Sequence, residues 1–150
     1  MSDHENEKTA TEITENQGEN MTIEIPKEKW TEFLNDFSKR RFGWNTKVEV
    51  IAESVGAQIL SEGLILNGIT HENKSGTRVI EISLGENTEH HQTHTISKPV
   101  KIAYRNESNA QAGVLEIEEG DATKTLISLM NPMPVYIGYV SYAMVSTEAK

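Results

Sequence analysis

The sequence predicts an α+β domain in which one N-terminal amphipathic helix packs on a mainly antiparallel sheet of about six to eight short strands. Three observations predict it. A single helical stripe, Trp30, Phe33, Leu34 and Phe37, recurs at i, i+3, i+4 and i+7. Beyond Gly43 the apolar period shortens to two, the repeat of a strand with one buried face. Turn residues then punctuate the chain at short intervals and leave no room for the crossover helices of a parallel sheet.

The elements follow in order. Residues 1–20 hold six acidic side chains against Lys8, with only Met1, Ala10 and Ile13 apolar. Ordering them would cost conformational entropy with little hydrophobic return, so residues 1–21 read as a disordered acidic arm. Pro26 suits the first helical turn and Glu28 its positive end; Lys39, Arg40 and Arg41 suit the negative end, and Gly43 can stop the helix. Val48, Val50 and Ala52 then alternate with Lys47, Glu49 and Ile51 as the first strand. Further strands are expected at 57–60, 64–70, 78–84, 91–96, 100–105, 113–118 and 123–130. Turns at Glu62-Gly63, Asn73 to Gly76, Gly85 to Asn87, Ser97 to Pro99, Asn106 to Asn109 and Glu119 to Asp121 separate most of them. Asn67-Gly68 is a hairpin signal that would leave very short arms, and its register stays open.

Pro132 and Pro134 end the last strand, and residues 132–150 form an apolar, Tyr-rich segment apart from the 22–131 domain. Tyr136, Tyr139 and Tyr142 stand among Val, Ile, Ala and Met on every face. Two readings are open: a last buried strand, or a contact surface for a protein partner or a second copy, since tyrosine offers large area with a polar tip.

Composition narrows the function. The 150 residues carry 14 Lys+Arg against 23 Asp+Glu, a formal charge of −9, and one domain's length. Such a surface repels phosphate backbones and anionic lipids at long range, so neither nucleic acid nor membrane is favoured as a partner. The lack of cysteine removes disulfides, thiol catalysis and cysteine-held metal centres. We expect no cofactor and a soluble, cytoplasmic chain, because no basic segment followed by an apolar stretch opens it and no apolar run approaches the roughly 20 residues that span a bilayer.

Four constellations are weighed for chemistry. His90, His91 and His94 form the one histidine cluster. On a helix His90 and His94 would share a face; on a strand they lie about 13 Å apart, too far to share a zinc ion, so no metal site is favoured. His71-Glu72 opens like a zinc-protease motif, but Ser75 stands where the second histidine belongs. Glu116 and Glu118 share a strand face next to Glu119 and Asp121, the spacing of a carboxylate pair or of a strand's solvated side. Lys39, Arg40 and Arg41 with Phe42 and Trp44 could hold an anionic ligand, or form a basic helix end followed by two core aromatics. No nucleophile elbow, phosphate loop, dinucleotide fingerprint or kinase set occurs.

The order Ile25-Pro26-Lys27, Trp30, Phe33-Leu34, Phe37-Ser38, then Leu66-Asn67-Gly68-Ile69, His94-Thr95-Ile96 with Pro99, Leu115-Glu116-Ile117 and Thr125-Leu126 resembles a small bacterial domain-of-unknown-function family. In that family an amphipathic helix precedes a β-rich region. The resemblance covers residues 22–130 and implies a bacterial origin and a compact domain, with no activity to carry over; His94 and Pro99 match it, His90 and His91 do not. The leading expectation is therefore a non-catalytic binding or interaction module. The alternative is a metal-assisted or acid-base enzyme centred on His94, with His71, His90 or Glu116 as its partners.

Overall fold

In the computed structural model, residues 21–107 and 110–132 are described. Eight antiparallel strands form one sheet: β1 (Met21–Ile25), β2 (Asn45–Ala52), β3 (Gly56–Lys74), β4 (Thr77–Gly85), β5 (His91–Ser97), β6 (Pro99–Glu107), β7 (Ala112–Glu119) and β8 (Lys124–Met130). Their spatial order is β1-β6-β7-β8-β2-β3-β4-β5. A 3-10 turn (Lys27–Lys29) leads into α1 (Trp30–Arg40). The α+β expectation stands, with one change in detail. Met21, assigned to the arm, begins β1, a strand too short to announce itself. The chain on either side of the described residues, the acidic arm and the Tyr-rich segment with Tyr136, Tyr139 and Tyr142, lies outside this description.

The sheet cannot be flat. β5 is last in the spatial order and β6 second, so a flat sheet would hold them about 29 Å apart at a strand spacing of about 4.8 Å. Yet Lys98 alone joins them, reaching roughly 7 Å, so the sheet must curl back on itself. Lys98 takes φ 52° and its N–H donates to the Arg78 carbonyl at 2.9 Å, which fixes that corner against β4.

The other corner is β3. Its first half pairs with β2, from Ala52↔Gly56 to Asn45↔Ile65, and its second half with β4, from Leu66↔Leu84 to Lys74↔Thr77. Glu62-Gly63, expected as a turn, and Asn67-Gly68, whose register stayed open, both lie within this strand, which has Gly63 at φ +97° and a bulge between Leu66 and Gly68. The same glycines that make tight turns also relieve a strand that changes partner.

The concave side of this curl holds the core. Trp30, Leu34 and Phe37 of α1 are buried against Leu66 and Ile69 of β3, Ile80, Ile82 and Leu84 of β4, and Ile102, Leu115, Ile117, Ile127 and Leu129 of β6 to β8. The predicted stripe is thus the buried face, although Phe33 is only partly covered. The Trp30 indole N–H donates to the Ile25 carbonyl at 3.0 Å, tying helix to β1.

Ser38 joins helix to bulge. Its Oγ accepts the Ile69 N–H at 2.8 Å and lies 2.7 Å from the Leu34 carbonyl and 3.1 Å from the Ile69 carbonyl. A hydroxyl can serve an N–H that the irregular strand leaves without a ladder partner, and no apolar side chain can. Replacing Ser38 with Ala should therefore lower unfolding free energy by about 1–3 kcal/mol in a urea titration, with the far-ultraviolet spectrum unchanged. A loss under about 0.3 kcal/mol would mean that the bulge is served otherwise.

Candidate functional site

The three groups weighed for acid-base work do not converge. His71 on β3 pairs with Ile80, and His94 on β5 with Ile82, so both imidazoles face the concave side on rows one step apart across β4. Their Cα atoms are thereby about 12 Å apart. His71 sits edge-on to the Trp30 ring, with centroids 5.4 Å apart, and shares a hydrogen bond of 3.0 Å with the Thr31 hydroxyl through Nδ1. Its Nε2 is buried without a partner among the described residues. Burial first, and the Arg78 cation second, hold its pKa below the ordinary value; burial does the same to His94. Glu116 lies on the opposite, outward face of β7, 3.7 Å from the Lys124 ammonium.

The remaining histidines separate as well. His91 faces outward, its Nε2 3.1 Å from the Ser83 hydroxyl, while His94 faces inward and His90 precedes the strand with its backbone N–H on the Asn87 carboxamide oxygen. Among the described residues no three His, Cys, Asp or Glu side chains gather as a metal shell. The acidic run closes the β7–β8 turn: the Thr123 N–H donates to Asp121 at 3.0 Å, which lowers that carboxyl's pKa, whereas burial and the nearby Asp121 raise that of Glu119.

The basic helix end is mostly committed to the fold. The Arg41 guanidinium lies 4.3 Å from the Phe37 ring centroid, 4.9 Å from that of Tyr104 and 5.3 Å from that of Trp44, and its Nε donates to the Tyr104 hydroxyl at 3.3 Å. Arg40 donates to Asp36 at 2.7 Å. Lys39 remains at the surface, and one exposed lysine makes no anion site. Phe42, expected in the core, is 65% exposed, because the residue before Gly43 points off the end of the helix.

The sequence reading missed a different surface. Residues 56–63 of β3 pair with β2 on one side and, among the described residues, with nothing on the other, because β4 takes up pairing only at Leu66. Around this edge Ile51, Val55, Ile59 and Leu60 are exposed. The other end strands are guarded: β5 reads His-Gln-Thr-His-Thr, and β1 carries Glu24 before Pro26. The β3 edge has no Lys and no Pro, and its single charge is Glu62 near its end. The signal was in the sequence, as apolar Val55, Ile59 and Leu60 in a segment without edge-guarding residues. Reading Glu62-Gly63 as a turn hid it.

A groove of about 630 Å3 crosses the sheet at one end of this edge. Lys47, Glu62, Arg105, Ser128 and Met130 line it. Arg105 pairs with Glu107 at 2.9 Å and Lys47 stands in register with Glu62, so two cations and two carboxylates balance along the lining.

The fold and this surface define a class: a curled antiparallel sheet filled by one helix, with an unguarded strand edge. The chain belongs to the family described as a family of unknown function (DUF5335), which matches residues 21–136. The bacterial resemblance read from residues 22–130 is thereby borne out. An uncharacterized protein of Aquifex aeolicus (strain VF5) is 25% identical over 114 residues, which are 76% of this chain and 96% of that protein. No solved structure matches the chain. Among the described residues no helix is long and apolar enough to cross a membrane.

Two outcomes follow from this geometry. Arg41→Lys keeps the charge but cannot stack among three rings, and should cost about 1–2 kcal/mol of stability in urea titration; an unchanged midpoint would free Arg41 for a ligand role. His71 and His94 fold as imidazoles that resist protonation, whereas the unfolded chain protonates them near their ordinary 6.5. Their contribution is complete above that value and is lost as pH falls from it toward the lower folded values. His94→Gln should therefore show a smaller drop in denaturation midpoint between pH 7 and pH 5 than the unaltered chain, and an equal drop would show that His94 is not the group responsible.

Proposed function

We propose that this chain is a non-catalytic protein-interaction module that offers the open edge of β3 to an extended segment of a partner. The observation that carries the reading is the unpaired stretch 56–63, flanked by exposed Ile51, Val55, Ile59 and Leu60. Such an edge presents free backbone donors and acceptors to any strand laid beside it, and alternate apolar side chains select what is laid there. The acidic side chains around it, Glu49, Glu53 and Glu62, favour a neutral or basic segment over an acidic one. The scattered placement of His71, His94 and Glu116 supports this reading over the acid-base alternative. A cytoplasmic setting is part of the proposal and is supported by the cysteine-free composition.

A photo-crosslinking residue placed at Ile59, and separately at Thr95 on the polar β5 edge, tests it in the native host. The expected outcome is one protein adduct, identified by mass spectrometry, at position 59 and none at 95. Equal labelling at both edges, or none at 59, would remove the reading.

A further inference from the structure

The hairpin of β3 and β4 carries its charges unevenly. On its outer face Lys74 pairs with Glu81 and lies 3.9 Å from Glu72, whose carboxylate also accepts the Thr70 hydroxyl at 3.2 Å. On its inner face the Arg78 guanidinium makes no ion pair or hydrogen bond among the described residues. Asn73 pairs with Arg78, and His71 with the core residue Ile80, so His71, Asn73 and Arg78 project on one side. Their Cα atoms are about 7 Å apart from His71 to Asn73 and about 5 Å from Asn73 to Arg78. Thr31 of α1 stands across from them, its hydroxyl 3.0 Å from His71 Nδ1. These four residues and Glu72 line a cavity of about 230 Å3.

The cavity is rich in donors and poor in acceptors. A guanidinium only donates, and the Asn73 carboxamide can turn its NH2 inward. In the tautomer in which the Thr31 hydroxyl donates to Nδ1, Nε2 carries the ring proton, and that atom is buried without a partner among the described residues. The one carboxylate on the lining, Glu72, is already taken up by Thr70 and Lys74. Positive charge also reaches His71 from two sides: Arg78 on β4, which helps to hold its pKa down, and Lys27, 5.7 Å from the centroid of the Trp30 ring that His71 abuts. An anion placed here would give Arg78 the acceptor it lacks and offset the charge beside the imidazole. The planar fork of an arginine matches a carboxylate through two parallel hydrogen bonds. The volume equals that of about seven or eight waters, which suits an acid of about four to eight non-hydrogen atoms and is too small for a nucleotide.

We propose that this cavity binds a small carboxylic acid, its carboxylate held by the Arg78 guanidinium and the Asn73 carboxamide beside His71. The site does not involve the β3 edge, so the two readings stand or fall separately.

The test uses the full chain, with sodium acetate as the probe, sodium chloride at matched ionic strength as the reference and sodium phosphate as the competing anion. Nuclear magnetic resonance follows the His71 ring and the Asn73 carboxamide. The expected result is a saturable shift of both in acetate, with a midpoint on the order of 1–10 mM, and no saturation in chloride. Bound acetate should also move the His71 titration upward, toward its ordinary value, because a neighbouring carboxylate favours the imidazolium. Arg78→Gln, at an exposed position, should weaken acetate binding by about 10-fold or more with the β-sheet resonances retained. Shifts that grow linearly and equally in acetate and chloride overturn the proposal. A His71 titration unmoved at saturating acetate, or binding that Arg78→Gln leaves intact, places the anion elsewhere and overturns it as well. Saturation by phosphate and not by acetate overturns the carboxylic acid as the ligand.

Discussion

A strand of 19 residues cannot stay in register with one neighbour when the sheet on either side of it twists, and β3 resolves this by serving two. Its first half belongs with β2 and its second with β4. The change of partner at Gly63 to Gly68 turns the sheet through a corner, and the corner makes a concave side deep enough for Trp30, Leu34 and Phe37. Without that bend, β5 and β6 could not be joined through Lys98 alone. The helix rests on the bent strand, and Ser38 meets the N–H of Ile69 beside the bulge.

The same change of partner leaves the apolar edge. Where β3 departs from β2's far side to meet β4, its first half has one neighbour instead of two. Natural sheets blunt such edges with charge, proline or cover; β1 shows the first two devices in Glu24 and the adjoining Pro26, and β5 is polar along most of its length. The first half of β3 has no proline and only Glu62 near its end as charge, so the fold's principal structural device and its most available surface are one feature. The polar constellations are local by contrast: the acidic run closes a turn, Arg41 caps three aromatic rings, and the histidines are distributed over both faces of β5 and the inner face of β3.

How far the sequence could be read depended on how local each cause was. The α1 stripe, the basic last turn ended by Gly43, the alternation of β4 to β8 and the placement of His91 and His94 on opposite faces all follow from periods of 3.6 and 2 within a few residues. Family membership was legible in the same way, from the order of short local patterns. Glu62-Gly63 differs from its expected turn, and Asn67-Gly68 stays open from sequence, because a glycine that permits a turn equally permits a bulge, and the choice lies with the neighbouring strands. Phe42 was misplaced because an aromatic beside a helix stop can point inward or off the end with the same local pattern.

The sequence by itself therefore determined the helix, most of the strands, their inward faces and the balance of charge, because each is set by the spacing of side chains along one segment. The tertiary structure alone decided the strand order, the curl, the two partners of β3 and the edge left open between them. These depend on which segments meet across long sequence separations, and a pattern with a period of two looks the same in a central strand as in an edge strand. It also decided that Arg41 faces Phe37, Trp44 and Tyr104, and that His71, His94 and Glu116 stand apart, since distances between strands exist only once the strands are ordered.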